Sequence, residues 1–97
     1  MKAADCTTMA EVRVEIDRID AALVVLLAER ASYIDRASEL KPALGLPARI
    51  SDRVEDVVTN VRTRAIAEGL DPALVEMLWR RLIDWSIERE EDVIGRE

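Results

Sequence analysis

From Thr8 to Lys41 the chain contains neither glycine nor proline, and Pro42 then ends the run. Thr8 and Glu11 stand at capping-box spacing at its start, and a proline disfavours helix in the residue before it, so the spacing predicts one long helix over 8–41. Along it Val12, Ile16, Ile19, Leu23, Leu26, Arg30, Tyr33, Ala37 and Leu40 recur at alternating steps of four and three, the seam of a helix packed along its whole length. At a 1.5 Å rise per residue such a helix is about 50 Å long, whereas a compact globule of this size has a radius of gyration near 13 Å. Two shorter helices of the same chain cover only part of that seam. The expectation is therefore an entwined homodimer in which two long helices pack against each other.

The remainder of the 97 residues reads as a loop and two further helices. Residues 42–51 form the loop, with Ser51 or Asp52 as the cap of a second helix whose stripe is Val54, Val57, Val58, Val61, Ala65 and Ile66. Gly69 marks the end of that helix. Asp71 and Pro72 open the third helix as N-cap and first helical residue, and its inward line is Leu74, Val75, Leu78, Trp79, Leu82, Ile83, Ser86, Ile87 and Glu90. Three glycines, three prolines and 3% aromatic residues are too few for a sandwich or barrel built on many tight turns. The fold class is thus all-α, a single domain over 1–97 with a loose N-terminus at 1–7. A chain this short buries only about 60–65% of its unfolded surface, which again favours an oligomer.

Composition removes most enzyme chemistry. There is no histidine and one cysteine, Cys6, so His-based acid–base catalysis, an intrachain disulfide and a zinc–thiolate cluster are excluded, and no cofactor is implied. A net charge of −6 repels nucleic acid phosphates. No stretch approaches the roughly 18 uninterrupted apolar residues of a membrane span, and residues 1–10 lack an apolar signal region, so a cytoplasmic location is expected.

Charges stand where the helical pattern asks for apolar residues. Arg30 occupies a seam position, and an unpaired buried guanidinium costs several kcal/mol, so it needs an anionic partner, either an acidic side chain of a neighbouring helix or a ligand. Lys41, eleven residues on, returns to within about 20° of the same direction some 16 Å further along, where it can line the same cavity or simply favour a helix C-terminus. Arg13 is about 25 Å from Arg30 on the same helix, so it reaches that site only from the other subunit of an antiparallel dimer; otherwise it is a solvated charge. Ser86 and Glu90 place a hydroxyl and a carboxyl on the inward line of the third helix, unless its end frays. Arg53 opens the second helix beside the loop that carries Arg49, where mobile cations close over an anion or serve as surface charges.

This arrangement resembles the all-helical chorismate mutase family over nearly the whole chain. The likeness rests on Asp5-Cys6-Thr7, Val12-Arg13, Ile16-Asp17-Arg18-Ile19-Asp20, Leu27-Ala28-Glu29-Arg30, Arg53-Val54, Gly69-Leu70-Asp71 and Ile83-Asp84-Trp85. Individually weak, these motifs are specific in order and spacing, and their wording is especially similar to the isochorismate-pyruvate lyase branch. The resemblance implies an intertwined homodimer with two equivalent sites for a small dicarboxylate substrate, chorismate or isochorismate. By the same carry-over Arg13 comes from the other subunit, Arg30 binds a carboxylate, Lys41 donates to the enolpyruvyl ether oxygen and a carboxylate, and Arg53 closes with the loop; Ser86, on the inward line of the third helix, is a candidate substrate contact. Glu90 takes the position of a second ether-oxygen donor, usually Gln.

Three departures accompany the likeness. Mutases of the enteric type carry acidic residues where Ile50 and Val54 align. Pro42 is expected to disturb the helix at Lys41 and shift its ammonium. Glu90 donates only when protonated, so activity is expected to improve at mildly acidic pH. The implied activity is chorismate mutase, with isochorismate-pyruvate lyase as the alternative and a non-catalytic helical dimerisation or regulatory module as the reading from a different class.

Overall fold

The computed structural model describes residues 1–95, and the regular structure in them is entirely helical. A single 3-10 turn, Ala3–Asp5, precedes α1 (Met9–Leu40); a second, Pro42–Leu44, leads to α2 (Ser51–Ala67), and α3 spans Pro72–Ile94. The three expected helices are present. None of the described helices is long and apolar enough to cross a membrane.

The sequence signals act locally as their chemistry dictates, with two exceptions. The Thr8 hydroxyl accepts the Glu11 backbone N–H at 3.2 Å, and the Glu11 carboxylate accepts from the Thr7 and Thr8 hydroxyls at 3.0 and 3.1 Å, closing a capping box. These hydroxyls, Thr7 first, hold the Glu11 carboxyl below its ordinary value. Gly69, at φ 71°, ends α2 in a Schellman arrangement: Leu70 N–H bonds the Ala65 carbonyl at 2.8 Å and Gly69 N–H the Ile66 carbonyl at 3.1 Å. Asp71 caps α3 by accepting the Ala73 N–H at 2.9 Å. The first exception is the start of α2, which neither Ser51 nor Asp52 caps. Ile50 is the extended N-cap residue, its carbonyl takes the Val54 N–H, and no side-chain cap is made, which leaves Asp52 in the first turn to offset the helix dipole. The second is the end of α1. Lys41 keeps α-helical dihedrals (φ −58°, ψ −43°) despite Pro42, and its N–H still bonds the Ala37 carbonyl. Here a one-residue continuation outweighs the pre-proline preference, because the Lys41 carbonyl is taken up by the turn that follows.

The chain divides into two compact units, Met1–Ser32 and the residues from Tyr33 onward. In the first, α1 exposes the seam residues Ile16, Ile19, Leu23 and Leu26 along with Val14, Val24 and Val25. In the second, Ala48, Val58, Ile83 and Ile87 form the core, with Val54, Val57, Trp79 and Ile94 packed around it. Ala65 and Val75 are buried as expected, but Ile66, Leu74 and Leu78 are exposed. On α3 the buried arc is Val75, Ile83, Ser86, Ile87 and Glu90, while Leu74, Leu78 and Trp85 follow a separate i, i+4, i+11 line on another face. Met9 and Met77 are exposed too.

Ion pairs fasten α2 to α3. Arg80 bonds both Glu55 oxygens at 3.0 and 3.1 Å and Glu76 at 2.8 Å, while Arg62 bonds Glu76 at 2.7 Å. Arg80 holds the carboxyls of Glu55 and Glu76 below their ordinary values. Packing carries the unit more than these exposed charges do. Ile83→Ala is accordingly expected to cost about 2–5 kcal/mol by urea denaturation, and a cost below about 1 kcal/mol would place the core elsewhere.

Candidate active site

The end of α1, the following loop and α3 meet at one side chain. Lys41 Nζ donates to the Ala48 carbonyl at 2.8 Å and lies 2.8 Å from Glu90 Oε1. Both side chains are largely removed from solvent, Lys41 at 17% exposure and Glu90 at 5%. The contact with Glu90 is an ion pair by distance, yet its alignment is not that of a hydrogen bond, so Oε1 is buried without a hydrogen-bond donor. An unsatisfied buried carboxylate oxygen beside an ammonium is a costly arrangement, and it supplies both a positive charge and a proton acceptor to any polar group entering there.

Three further features lie on the same segments of α1 and α3. Ser86, one turn before Glu90 on α3, is buried, and its hydroxyl donates to the Leu82 carbonyl at 2.8 Å. Ser38 near the end of α1 is also buried and donates to the Asp35 carbonyl at 2.6 Å. Beside Glu90, Arg89 makes a two-pronged bond to Asp35 of α1 at 2.6 and 2.9 Å, with its guanidinium 5.3 Å from the Trp85 ring centroid. That guanidinium holds the Asp35 carboxyl below its ordinary value.

Of the residues singled out from sequence, the second unit brings Lys41 and Glu90 into contact and buries Ser86 one helical turn away. The α3 end does not fray: Glu90 lies within an ordered helix that continues to Ile94. Arg53 sits exposed in the first turn of α2. Arg49, exposed on the loop, pairs with Asp84 of α3 at 3.1 Å. Arg13, exposed, and Arg30, half-buried, belong to the first unit. Sequence reading missed the Ala48 carbonyl, which has no side-chain signature, and the Asp35–Arg89 clamp, whose partners are 54 residues apart. Among the described residues no group of three acidic or cysteine side chains is placed to hold a metal ion.

An all-helical chain with a long first helix and a buried Lys–Glu pair between its end and the third helix is the architecture that known sequences identify further. The family model for chorismate mutase type II matches residues 12–91, and the chain belongs to that family. It is 37% identical over 84 residues to the isochorismate pyruvate lyase of Pseudomonas aeruginosa, covering 86% of this chain and 81% of that protein. The T-protein of Enterobacter agglomerans is 35% identical over 80 residues, 82% of this chain, but the match spans only 21% of that longer protein. A chorismate mutase of Methanocaldococcus jannaschii is 29% identical over 76 residues, 78% of this chain and 77% of that one.

Two outcomes test the geometry without reference to turnover. Lys41→Met leaves the Glu90 carboxylate buried without its countercharge and is expected to lower stability by about 3 kcal/mol, most of which Lys41→Met with Glu90→Leu restores. Additive losses in that double-mutant cycle would show that the pair is not coupled. Asp35 titrates below its unfolded value, so its bond to Arg89 stabilises the fold above about pH 4 and is lost as pH falls further. The melting-temperature difference between the parent and Asp35→Asn is therefore expected to be largest at pH 7 and smaller at pH 3; an equal difference at both pH values would overturn the assignment.

Proposed function

We propose that the chain is a chorismate mutase, converting chorismate to prephenate. The observation that carries this reading is the buried Lys41–Glu90 contact, 2.8 Å across two elements, in a chain of the chorismate mutase type II family. The rearrangement is unimolecular: the ether C–O bond breaks as a C–C bond forms. The protein therefore has to hold the folded reactive conformer and stabilise negative charge growing on the ether oxygen. In this reading Lys41 donates to that oxygen and Glu90, when protonated, donates as well. Arg30, Arg53 and Arg13 of the partner subunit receive the carboxylates, and Ser86 contacts the substrate. No nucleophile or metal is required of the protein for such a step.

The site in this proposal belongs to a homodimer. Ile16, Ile19, Leu23 and Leu26 of α1 and Leu74, Leu78 and Trp85 of α3 remain 39–59% exposed in the single chain, an apolar surface suited to a second copy. Complementation checks this directly. Arg13→Ala and Arg30→Ala are each expected to be inactive and folded, whereas dimers re-formed from an equal mixture recover about a quarter of parental activity, because one site in each mixed dimer keeps both arginines. No recovery, in mixtures shown to exchange subunits, would place both arginines in one chain's site or outside the site altogether.

Isochorismate-pyruvate lyase activity is the second reading, favoured by the similarity to the Pseudomonas enzyme and by the environment of Ile50 and Val54. Both are half-buried, and Val54 packs on the core where enteric-type mutases place acidic residues. Product analysis with chorismate and with isochorismate, at about pH 5 and about pH 7.5, separates the readings. Prephenate supports the first, and salicylate with pyruvate the second. Turnover of neither leaves a helical dimerisation module. For the mutase, Glu90→Gln donates at every pH, so its activity at about pH 7.5 is expected to equal or exceed that of the parent and its pH profile to flatten; a profile identical to the parent's would remove Glu90 from the reaction.

A further inference from the structure

The Lys41 ammonium does not reach its place by the geometry of α1 alone. The chain folds back beneath it: the Lys41 carbonyl accepts the N–H groups of both Leu44 and Leu46 at 3.0 Å, and the Pro42 carbonyl accepts that of Gly45 at 3.1 Å. This double closure turns on Gly45, whose backbone is left-handed at φ 69°, ψ 23°. Beyond the turn the chain delivers the buried Ala48 carbonyl to within 2.8 Å of Lys41 Nζ. A Cβ at Gly45 would meet nothing within 4 Å, so the position demands a backbone conformation rather than space.

We propose that Gly45 is a positioning residue for Lys41: its left-handed turn presents the Ala48 carbonyl that fixes the ammonium beside Glu90. The role of Lys41 as the charge donor rests on the function proposed above; the positioning itself does not. The substitution series follows from the conformation. Asn visits the left-handed region readily, Ala less so, and a β-branched residue scarcely at all. The Lys41 ammonium should therefore loosen in the order Asn, Ala, Val, with helix content unchanged.

The chain offers an internal control, since its only two lysines are Lys41 and the exposed Lys2. Reductive methylation of the full chain with formaldehyde and cyanoborohydride, read by peptide mass spectrometry, gives the Lys41-to-Lys2 rate ratio. That ratio is expected to be low in the parent and in Gly45→Asn, and to rise about tenfold in Gly45→Val with circular dichroism preserved. With chorismate, Gly45→Val is expected to lose on the order of 10–100-fold in kcat with KM little changed, and Gly45→Asn to retain activity. An unchanged methylation ratio in folded Gly45→Val overturns the proposal, as does a ratio in Gly45→Asn as high as in Gly45→Val. Should Gly45→Val fail to fold, Gly45→Ala replaces it, with an intermediate ratio expected and a parental one overturning. A parent that turns over no chorismate sinks the mutase reading, while the methylation ratio still decides the role of Gly45.

Discussion

One ammonium group organises the second unit. Lys41 Nζ lies between the Ala48 carbonyl and the Glu90 carboxylate, so a single charge ties the end of α1, the loop after it and the last turns of α3. The position is expensive to create, because desolvating an ammonium and a carboxylate costs more than an imperfectly aligned pair returns. A chain selected for stability alone would place leucine at both positions. Nearby, the Asp35–Arg89 bond joins α1 to α3, and the hydroxyls of the buried Ser38 and Ser86 bond carbonyls of their own helices.

Much of this was legible because the chemistry is local. The capping box at Thr8, the Gly69 stop and the Asp71–Pro72 start each need residues only a few positions apart, and all three operate as their spacing implies. Ser86 and Glu90 were readable as inward because helical periodicity carries them onto the line of Ile83 and Ile87. What could not be read depends on distant or main-chain partners. Nothing in Ala48 announces that its carbonyl is the acceptor for Lys41, and the Arg49–Asp84 pairing joins residues 35 apart. The exposed Leu74 and Leu78 show another limit: one helix can carry two apolar lines, and periodicity does not say which of them faces its own chain.

That ambiguity has a physical origin in α1. A 32-residue helix extends about 48 Å, and the stretch Ala21–Ala28 is apolar on every side. A helix greasy all round is stable in water only when surrounded. Among the described residues the buried apolar side chains are few, Ala48, Val58, Ala65, Val75, Ile83 and Ile87, all of them in the second unit. The proposed dimer resolves the mismatch, since a second copy supplies the missing apolar surface without lengthening the chain.

The same economy bears on how so small a protein would host a demanding reaction. With no histidine and one cysteine, the chain has few groups that could act as nucleophile or base near neutral pH, whereas it has twelve arginines and two lysines to place around anions. A unimolecular rearrangement of a dicarboxylate asks for charge and shape held still. A guanidinium keeps its charge at all ordinary pH values, and an ammonium fixed by a main-chain carbonyl loses little freedom when the substrate arrives. Glu90 is the exception, a group whose hydrogen-bonding role reverses with one proton, and it stands beside the ammonium on which the proposed chemistry depends.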